Sequence, residues 1–364
     1  MRLTLGRKNT SDDVAAQSAA DKVRSLDAEI SHVVDNSLRA SLRTRRGSGS
    51  SKSSEREIQD LLDLVAPDHL THAVLRRIER TDMKVRRGLS FKTYMVQESE
   101  GRRQGLTSTS WLLDQKLSAY RFIDQLGVRR PRGDLKKRSF SELAMTPPCV
   151  IKPCRSTGSR GVYLVYAEDQ IEHVRDGAHF NSWSDTTDHA ASLMDTETQQ
   201  RPLSDRWFAE ELILEDRARK VPARDLKFFC FYGKVLFILE VRRSGGKSEY
   251  SFKTPDQLDI VPGDWDYDYF QGDGTTAGQL ELASQISGQI PHPFCRIDML
   301  KAEDEMVFGE FTPRPGGYNG FSPEWDRSMG EAWTDAQHRL QEDLLAGKRF
   351  DAFLTATRLL DRHR

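Results

Sequence analysis

Residues 295–317 read CRIDMLKAEDEMVFGEFTPRPGG, two apolar runs on either side of a short acidic turn. This pattern predicts a β-hairpin, and its register decides what each face carries. A three-residue loop over Glu303–Glu305 would pair Ala302 with Met306. Asp298 then lies opposite Glu310 and Arg296 opposite Thr312, all on one face, whereas a loop of even length would separate them. Two facing carboxylates repel unless a cation lies between them, and hard oxygen ligands favour Mg²⁺. Arg296 beside them suits a developing negative charge. The plainer alternative is a surface hairpin with solvated acids. Ile297, Met299, Phe308 and Phe311 favour a packed sheet instead.

A second stretch, PPCVIKPCRSTGSRGVYLV at 147–165, ends an apolar strand in Lys152 and continues into a loop of small polar residues. Backbone N–H groups, the hydroxyls of Ser156, Thr157 and Ser159, the glycines Gly158 and Gly161, and a nearby ammonium are the groups that bind phosphate oxygens. The Walker pattern G-x-x-x-x-G-K-[ST] is absent. An ordinary hairpin loop with an exposed lysine is the competing reading. Three weaker signals accompany these two. Glu210 and Glu211 interrupt the apolar strand RWFAEELILED (206–216). Asp225 and Lys227 share one side of the strand RDLKFFCFYG (224–233) and read on their own as an ion pair. Lys116 sits in the helical pattern LLDQKLSAYRF (112–122), where any surface helix could carry it.

The chain has 364 residues, 30% charged and 37% hydrophobic, with a net charge of −1. That balance fits a water-soluble protein of several subdomains with no general attraction to nucleic acid or anionic membrane. The start of the chain lacks a signal-peptide core and no apolar run could span a bilayer. Cys149, Cys154, Cys230 and Cys295 have no metal or disulfide spacing. A reducing, cytoplasmic location is expected.

Four segments are expected. Residues 1–55 form an appendage with an amphipathic helix and a flexible basic linker, RTRRGSGSSKSS, whose Arg43, Arg45 and Arg46 read as a solvated tether. Residues 56–148 form a helical or α–β region, opening on an S-x-x-E capping box at Ser54 and Glu57. A helix over 111–127 follows, with Leu113, Leu117, Tyr120, Ile123 and Leu126 in helical register and Gly127 as its stop. Strands begin at residue 149, so 149–213 and 214–364 form two sheet subdomains, the second ending in helices. Tyr232-Gly233 predicts a hairpin turn. The fold class is α+β (α/β) with antiparallel sheets rather than a regular βαβ series.

Taken in order, these five motifs resemble the ATP-grasp superfamily over about residues 106–335, and most closely its TupA-like branch, named for teichuronopeptide biosynthesis. The resemblance implies two antiparallel-sheet subdomains that clasp ATP. It puts Lys116, Lys152 and Lys227 on or near the phosphates under the Ser156–Gly161 loop. It puts adenine on Glu210–Leu212 and the ribose on Glu210, Glu211 or a nearby acid. The metal ligands would be Asp298 and Glu310 with Thr312, standing where many members have Asn, and the cation Mg²⁺ or Mn²⁺. Arg296, Lys152 and Lys227 would be catalytic, and adjacency suggests Arg314, Tyr318 and Asn319 for the acceptor. The resemblance implies an ADP-forming carboxylate–amine ligase working through an acyl phosphate, in cell-surface polymer or secondary-metabolite biosynthesis. Its substrates would be a small carboxylate and an amine, with an acidic polymer precursor as one candidate. A kinase on the same fold and a non-catalytic nucleotide-binding protein of glycan assembly remain as alternatives.

Overall fold

Apolar residues at helical spacing build the first of two units, Met1–Ser90; the second is Phe91–Arg364. The computed structural model describes residues 10–44, 52–156, 158–195, 199 and 201–357. In the first unit, helices α1 (Thr10–Thr44), α2 (Lys52–Leu64) and α3 (His72–Ile78) follow one another. Val34 and Leu38, four apart on α1, meet Ile58, Leu62, Val65, Val74 and Ile78 in a small core. Helix α2 begins at Lys52, ahead of the expected cap Ser54, whose side chain lies outside the described residues, as does most of the basic linker.

The second unit opens with α4 (Phe91–Arg103) and α5 (Lys116–Gln125). The expected helix over 111–127 is broken. Ser110–Leu113 form a 3₁₀ turn and Gln115 is extended (φ −80°, ψ 121°), so the α-helix starts at Lys116 and Leu117 is exposed. The break takes Leu113 out of the α-helix, though it stays buried in the same core as Tyr120 and Ile123, and puts Lys116 on the first helical turn.

Strands begin earlier than expected, at β1 (Gly133–Arg138). Its sequence, GDLKKR, has no β-forming signal; it is an edge strand held by pairing with β6. The first sheet continues through β2 (Cys149–Pro153), β3 (Tyr163–Ala167), β4 (Gln170–His173), β5 (His179–Phe180) and β6 (Trp207–Glu211), with α6 (Trp183–Met194) before β6. It is antiparallel, in the order β1-β6-β2-β3-β4-β5. A two-stranded ribbon, β7 (Leu214–Asp216) and β8 (Val221–Pro222), leads to the second sheet.

That sheet runs β12-β11-β10-β9-β13-β14. It comprises β9 (Arg224–Phe231), β10 (Lys234–Ser244), β11 (Lys247–Lys253), β12 (Asp268–Tyr269), β13 (Cys295–Lys301) and β14 (Met306–Thr312). Tyr232 and Gly233 join β9 to β10 with φ of 38° and 81°, the expected tight turn. Helix α7 (Ala277–Gly288) precedes β13, and α8 (Pro323–Leu345) and α9 (Asp351–Thr357) end the described chain.

Strand β9 shows why one face of this sheet is partly open. Leu226 and Phe228 face a core that includes Phe122, Ile297, Phe311 and Phe353. On the alternate positions, Asp225 and Lys227 are polar, while Phe229 and Phe231 further along are buried against Phe294. The strand is therefore amphipathic at its start and apolar on both faces at its end. The polar half is left for a cleft.

The β13–β14 hairpin reaches the expected facing of Asp298 and Glu310 by another route. Lys301 pairs with Met306, giving a loop of four residues, 302–305, and Gly309 is an extra residue that restores register, so that Asp298 faces Glu310 and Arg296 faces Thr312. A Cβ on Gly309 would lie 3.0 Å from the Asp298 carbonyl oxygen, which is why the bulge takes a glycine. The loop length inferred from sequence was wrong by one, and the bulge cancels the error.

The two sheets also touch at a pair of glycine turns. A Cβ on Gly177 would lie 2.5 Å from the Gly245 carbonyl carbon, and one on Gly246 would lie 2.6 Å from that of Asp176; both residues have positive φ. Replacing Gly246 with Ala is expected to part these turns. Hydrogen exchange at Gly177 and Ala178 should accelerate while β9 and β13 keep their protection; unchanged exchange would show that the contact does not hold the turns together.

Candidate functional site

The start of β9, β13 and β14 supplies one wall of the site and β2 and β6 of the first sheet the other. Between them lies a cleft of about 2950 Å³, lined by Lys116, Lys152, Glu210, Lys227, Asp298 and Glu310 among others. On the first sheet Lys152 and Glu210 stand on the adjacent strands β2 and β6. The Lys152 ammonium donates to the Glu210 carboxylate, Lys116 Nζ lies 3.6 Å from its second oxygen, and the Tyr120 hydroxyl donates to that oxygen at 2.9 Å. Two lysines far apart in sequence thus share one carboxylate that is 4% exposed. Burial alone would raise the Glu210 carboxyl, but Lys152, Lys116 and the Tyr120 hydroxyl outweigh it and hold it below the ordinary range. Burial, reinforced by the neighbouring Lys152 ammonium, brings Lys116 down to about 7.

On the second sheet Lys227, Asp298 and Glu310 form one row across β9, β13 and β14. Arg296 grips Asp298 with two bonds of 2.7 Å and donates to the Thr312 hydroxyl at 3.0 Å. Lys227 donates to Asp298 at 2.6 Å and lies 3.4 Å from Asp225, which also binds Arg243. Burial would raise Asp298, yet Arg296 and Lys227 keep its carboxyl below the ordinary range. Glu310 is exposed to the cleft, and its charge acts on Lys116, Lys152, Lys227 and Arg296 alike. That shared influence brings cations of both walls around one point.

Asp298, Glu310 and the Thr312 hydroxyl are a hard-oxygen donor set, which suits a divalent cation of the Mg²⁺ type. Asp298 is already compensated by Arg296 and Lys227, so the repulsion expected between the facing acids is relieved by side chains rather than requiring a metal ion. Glu310 accepts no hydrogen bond among the described residues and is the acid open to a ligand.

Other sequence candidates are placed less directly. The Glu211 carboxylate turns to Arg129 and Arg132, at 2.7 and 3.3 Å. Leu212 lines the cleft and is buried. In the polar loop the Ser156 hydroxyl donates to the Arg160 carbonyl, while Gly158, Ser159 and Gly161 all have positive φ. The Gly161 N–H donates to His173 Nε2 at 3.0 Å, so that amide is already engaged. Thr157 lies outside the described residues. Arg314, Tyr318 and Asn319 do not line the cleft; the Arg314 guanidinium sits 5.4 Å from the Trp111 ring centroid.

Sequence reasoning missed the role of Tyr120, read only as part of an apolar stripe. Its position four residues after Lys116 was the available clue, since such pairs share a helix face. It also missed Arg243, whose partner Asp225 is held by two cations. His173, Asp176 and His189 cluster as well, but the tautomer of His173 closes that cluster to a metal. Its Nε2 accepts from Gly161, so Nδ1 carries the proton and donates to Asp176 at 2.8 Å.

Comparison with known proteins gives one family. The profile of the TupA-like ATP-grasp family matches residues 99–334. A search of curated proteins finds no match. Among solved structures, D-alanine–D-alanine ligase from Bacillus anthracis complexed with ATP is 13% identical over 68% of this chain and 73% of its own, with a TM-score of 0.37. L-amino acid ligase from Bacillus licheniformis is 14% identical over 60% of this chain and 46% of its own, at 0.36. The ATP-grasp ligase PsnB complexed with minimal precursor is 10% identical over 63% and 62%, at 0.35. At these scores the family match, and not the structural likeness, is the ground for the fold.

Glu210→Gln leaves two neighbouring, partly buried ammonium groups without their buried anion. Breaking such a pair costs about 3 kcal/mol or more, so the thermal midpoint should fall by roughly 5–10 °C. An unchanged midpoint would contradict the shared-carboxylate reading.

Proposed function

The chain belongs to the TupA-like ATP-grasp family, and from that premise we propose that it is an ATP-dependent, ADP-forming carboxylate–amine ligase. The observation that supports this reading most is the convergence of Lys116, Lys152 and Lys227 with Glu310 on one cleft between the two sheets. A triphosphate brings about four negative charges to a place where the protein has gathered ammonium groups around buried carboxylates. Lys116 and Lys152 bind its oxygens, and Glu210 keeps the two ammonium groups together before the nucleotide arrives. Lys227 stands one strand from the facing acids and meets the terminal phosphate. A divalent cation held by Asp298, Glu310 and Thr312 would neutralise charge on the phosphate oxygens.

The reaction is then a matter of position and charge. The substrate carboxylate oxygen attacks the γ-phosphorus, the bond to the β–γ bridging oxygen breaks, and ADP leaves with the electron pair. The amine nitrogen next attacks the acyl carbon, phosphate departs, and the amine gives up a proton as the amide forms. Arg296, fixed by Asp298 and Thr312, offers its remaining N–H bonds to the negative charge developing on the acyl oxygen. The Gly177 and Gly245–Gly246 turns meet beside Asp176 and Ser244, which line the cleft. The acceptor is expected to be a small amino compound or an acidic polymer precursor, and the setting a reducing one.

Turnover measured against carboxylate and amine pairs tests the reading. ADP and phosphate in equal amounts, dependent on both substrates, are expected; AMP and pyrophosphate would refute the acyl-phosphate route, and a phosphorylated hydroxyl without amide would make the protein a kinase. Asp298→Asn should slow turnover by about 100-fold or more.

The position of Lys116 near 7 predicts a pH dependence. Below that value the ammonium is present before ATP binds; above it, binding must take up a proton. Calorimetry should therefore show ATP affinity falling roughly tenfold from pH 7 to pH 8.5, with proton uptake. Lys116→Gln should bind more weakly and lose this dependence. Affinity that is flat over this range in the unaltered protein would contradict the assignment.

A further inference from the structure

Helix α1 carries a second apolar stripe that its own unit does not cover. Val23, Leu26, Ile30 and Val33 are 65%, 58%, 46% and 52% exposed, although each is a large aliphatic residue. Their spacing of three, four and three is a heptad seam, with Val23 and Ile30 at a and Leu26 and Val33 at d. The same register places Ala19 at the preceding d position and Ala40 at the following one, both exposed. The unit's own core uses a different side of the helix. Val34 and Leu38, which are buried against α2 and α3, fall at flanking e and b positions. The stripe is thus a separate face and not an imperfectly filled core.

We propose that this face pairs with α1 of a second copy of the same chain, as a parallel two-stranded coiled coil. Three observations select that occupant. The β-branched residues at both large a positions, with Leu at the central d position, are the combination that favours two parallel strands. Charge is complementary in that arrangement: Lys22 at g faces Asp27 at e of the partner helix, an acid that is 62% exposed although one oxygen lies 3.5 Å from His69 of its own unit, and by symmetry the pair forms twice. The seam is also flanked by polar residues, Asp27 and Arg24 on one side and Lys22, Ser25 and Glu29 on the other, so it is a narrow stripe and not a broad membrane-binding face. The seam spans few heptads, and Ser37 at the next a position weakens its end. The association is therefore a moderate one, reversible over the micromolar range.

The inference is independent of the proposed catalysis, because all its residues lie in the first unit. Sedimentation velocity on the full chain should give a species near twice 41.5 kDa that dissociates on dilution. Val23→Glu with Ile30→Glu should raise the dissociation constant by at least about 100-fold, with the far-UV circular dichroism of the second unit's sheets retained, and Lys22→Glu alone should raise it several-fold. A second measurement does not depend on disrupting the helix. Leu26→Cys places two thiols across a parallel d layer and should give a disulfide-linked dimer under mild oxidation. A monomer at all micromolar concentrations would overturn the proposal, as would a dimer unaffected by the double substitution or one in which Leu26→Cys does not cross-link. Recovery of a monomer on anionic phosphatidylserine vesicles would assign the stripe to a lipid surface and overturn it too.

Discussion

The second unit depends on charge compensation between two buried carboxylates and the cations gathered around them. Glu210 joins Lys116 and Lys152, and Asp298 joins Arg296 and Lys227. An uncompensated ammonium at such depth would lose its proton or draw water into the cleft. Each acid thus makes possible a cluster of cations that repel one another, and in each cluster one lysine, Lys152 or Lys227, stands on the strand next to the acid, where the backbone ladder sets the spacing. The cluster remains in excess positive charge on the first sheet, with two lysines to one acid. That imbalance is what a polyanionic ligand can exploit.

Backbone architecture supplies the precision. Lys152 and Glu210 lie on paired strands, as do Lys227, Asp298 and Glu310, so five of the charged groups are positioned by sheet registers rather than by loops. Lys116 is placed by the first turn of α5, whose apolar side is buried in the same core as β14 through Phe122 and Phe311. The hydrophobic core and the charged cleft are two faces of one sheet, and loss of packing on one side would loosen the geometry on the other.

Much of this was legible in the sequence, for identifiable reasons. Alternation along 295–301 and 306–312 marked the hairpin, and the facing of Asp298 and Glu310 was inferred correctly. The inference used the wrong loop length; Gly309, whose close approach to the Asp298 carbonyl only the packed hairpin shows, made up the difference. Periodicity ran Leu113 and Tyr120 into one helix because a helical pattern can continue in sequence across a chain break in conformation. Strand β1 was invisible because an edge strand of Gly, Asp and Lys is set by its neighbour. Glu211 looked equivalent to Glu210, but adjacent strand residues point to opposite faces, and only the packed structure shows that Glu210 holds Lys152 and Lys116 while Glu211 holds Arg129 and Arg132. The exposed seam of α1 was read merely as an amphipathic helix, since a sequence alone does not say which of two apolar stripes its own unit has buried.

Where a nucleotide binds decides whether the cleft between the two sheets is an ATP site. A crystal structure of the protein with a non-hydrolysable ATP analogue and Mg²⁺ tests it most directly. Phosphate oxygens are expected within hydrogen-bonding distance of the Lys116, Lys152 and Lys227 ammonium groups, with the cation on Asp298 and Glu310. A nucleotide bound elsewhere, or a cleft whose lysines remain on Glu210 and Asp298 at saturating analogue, would contradict it.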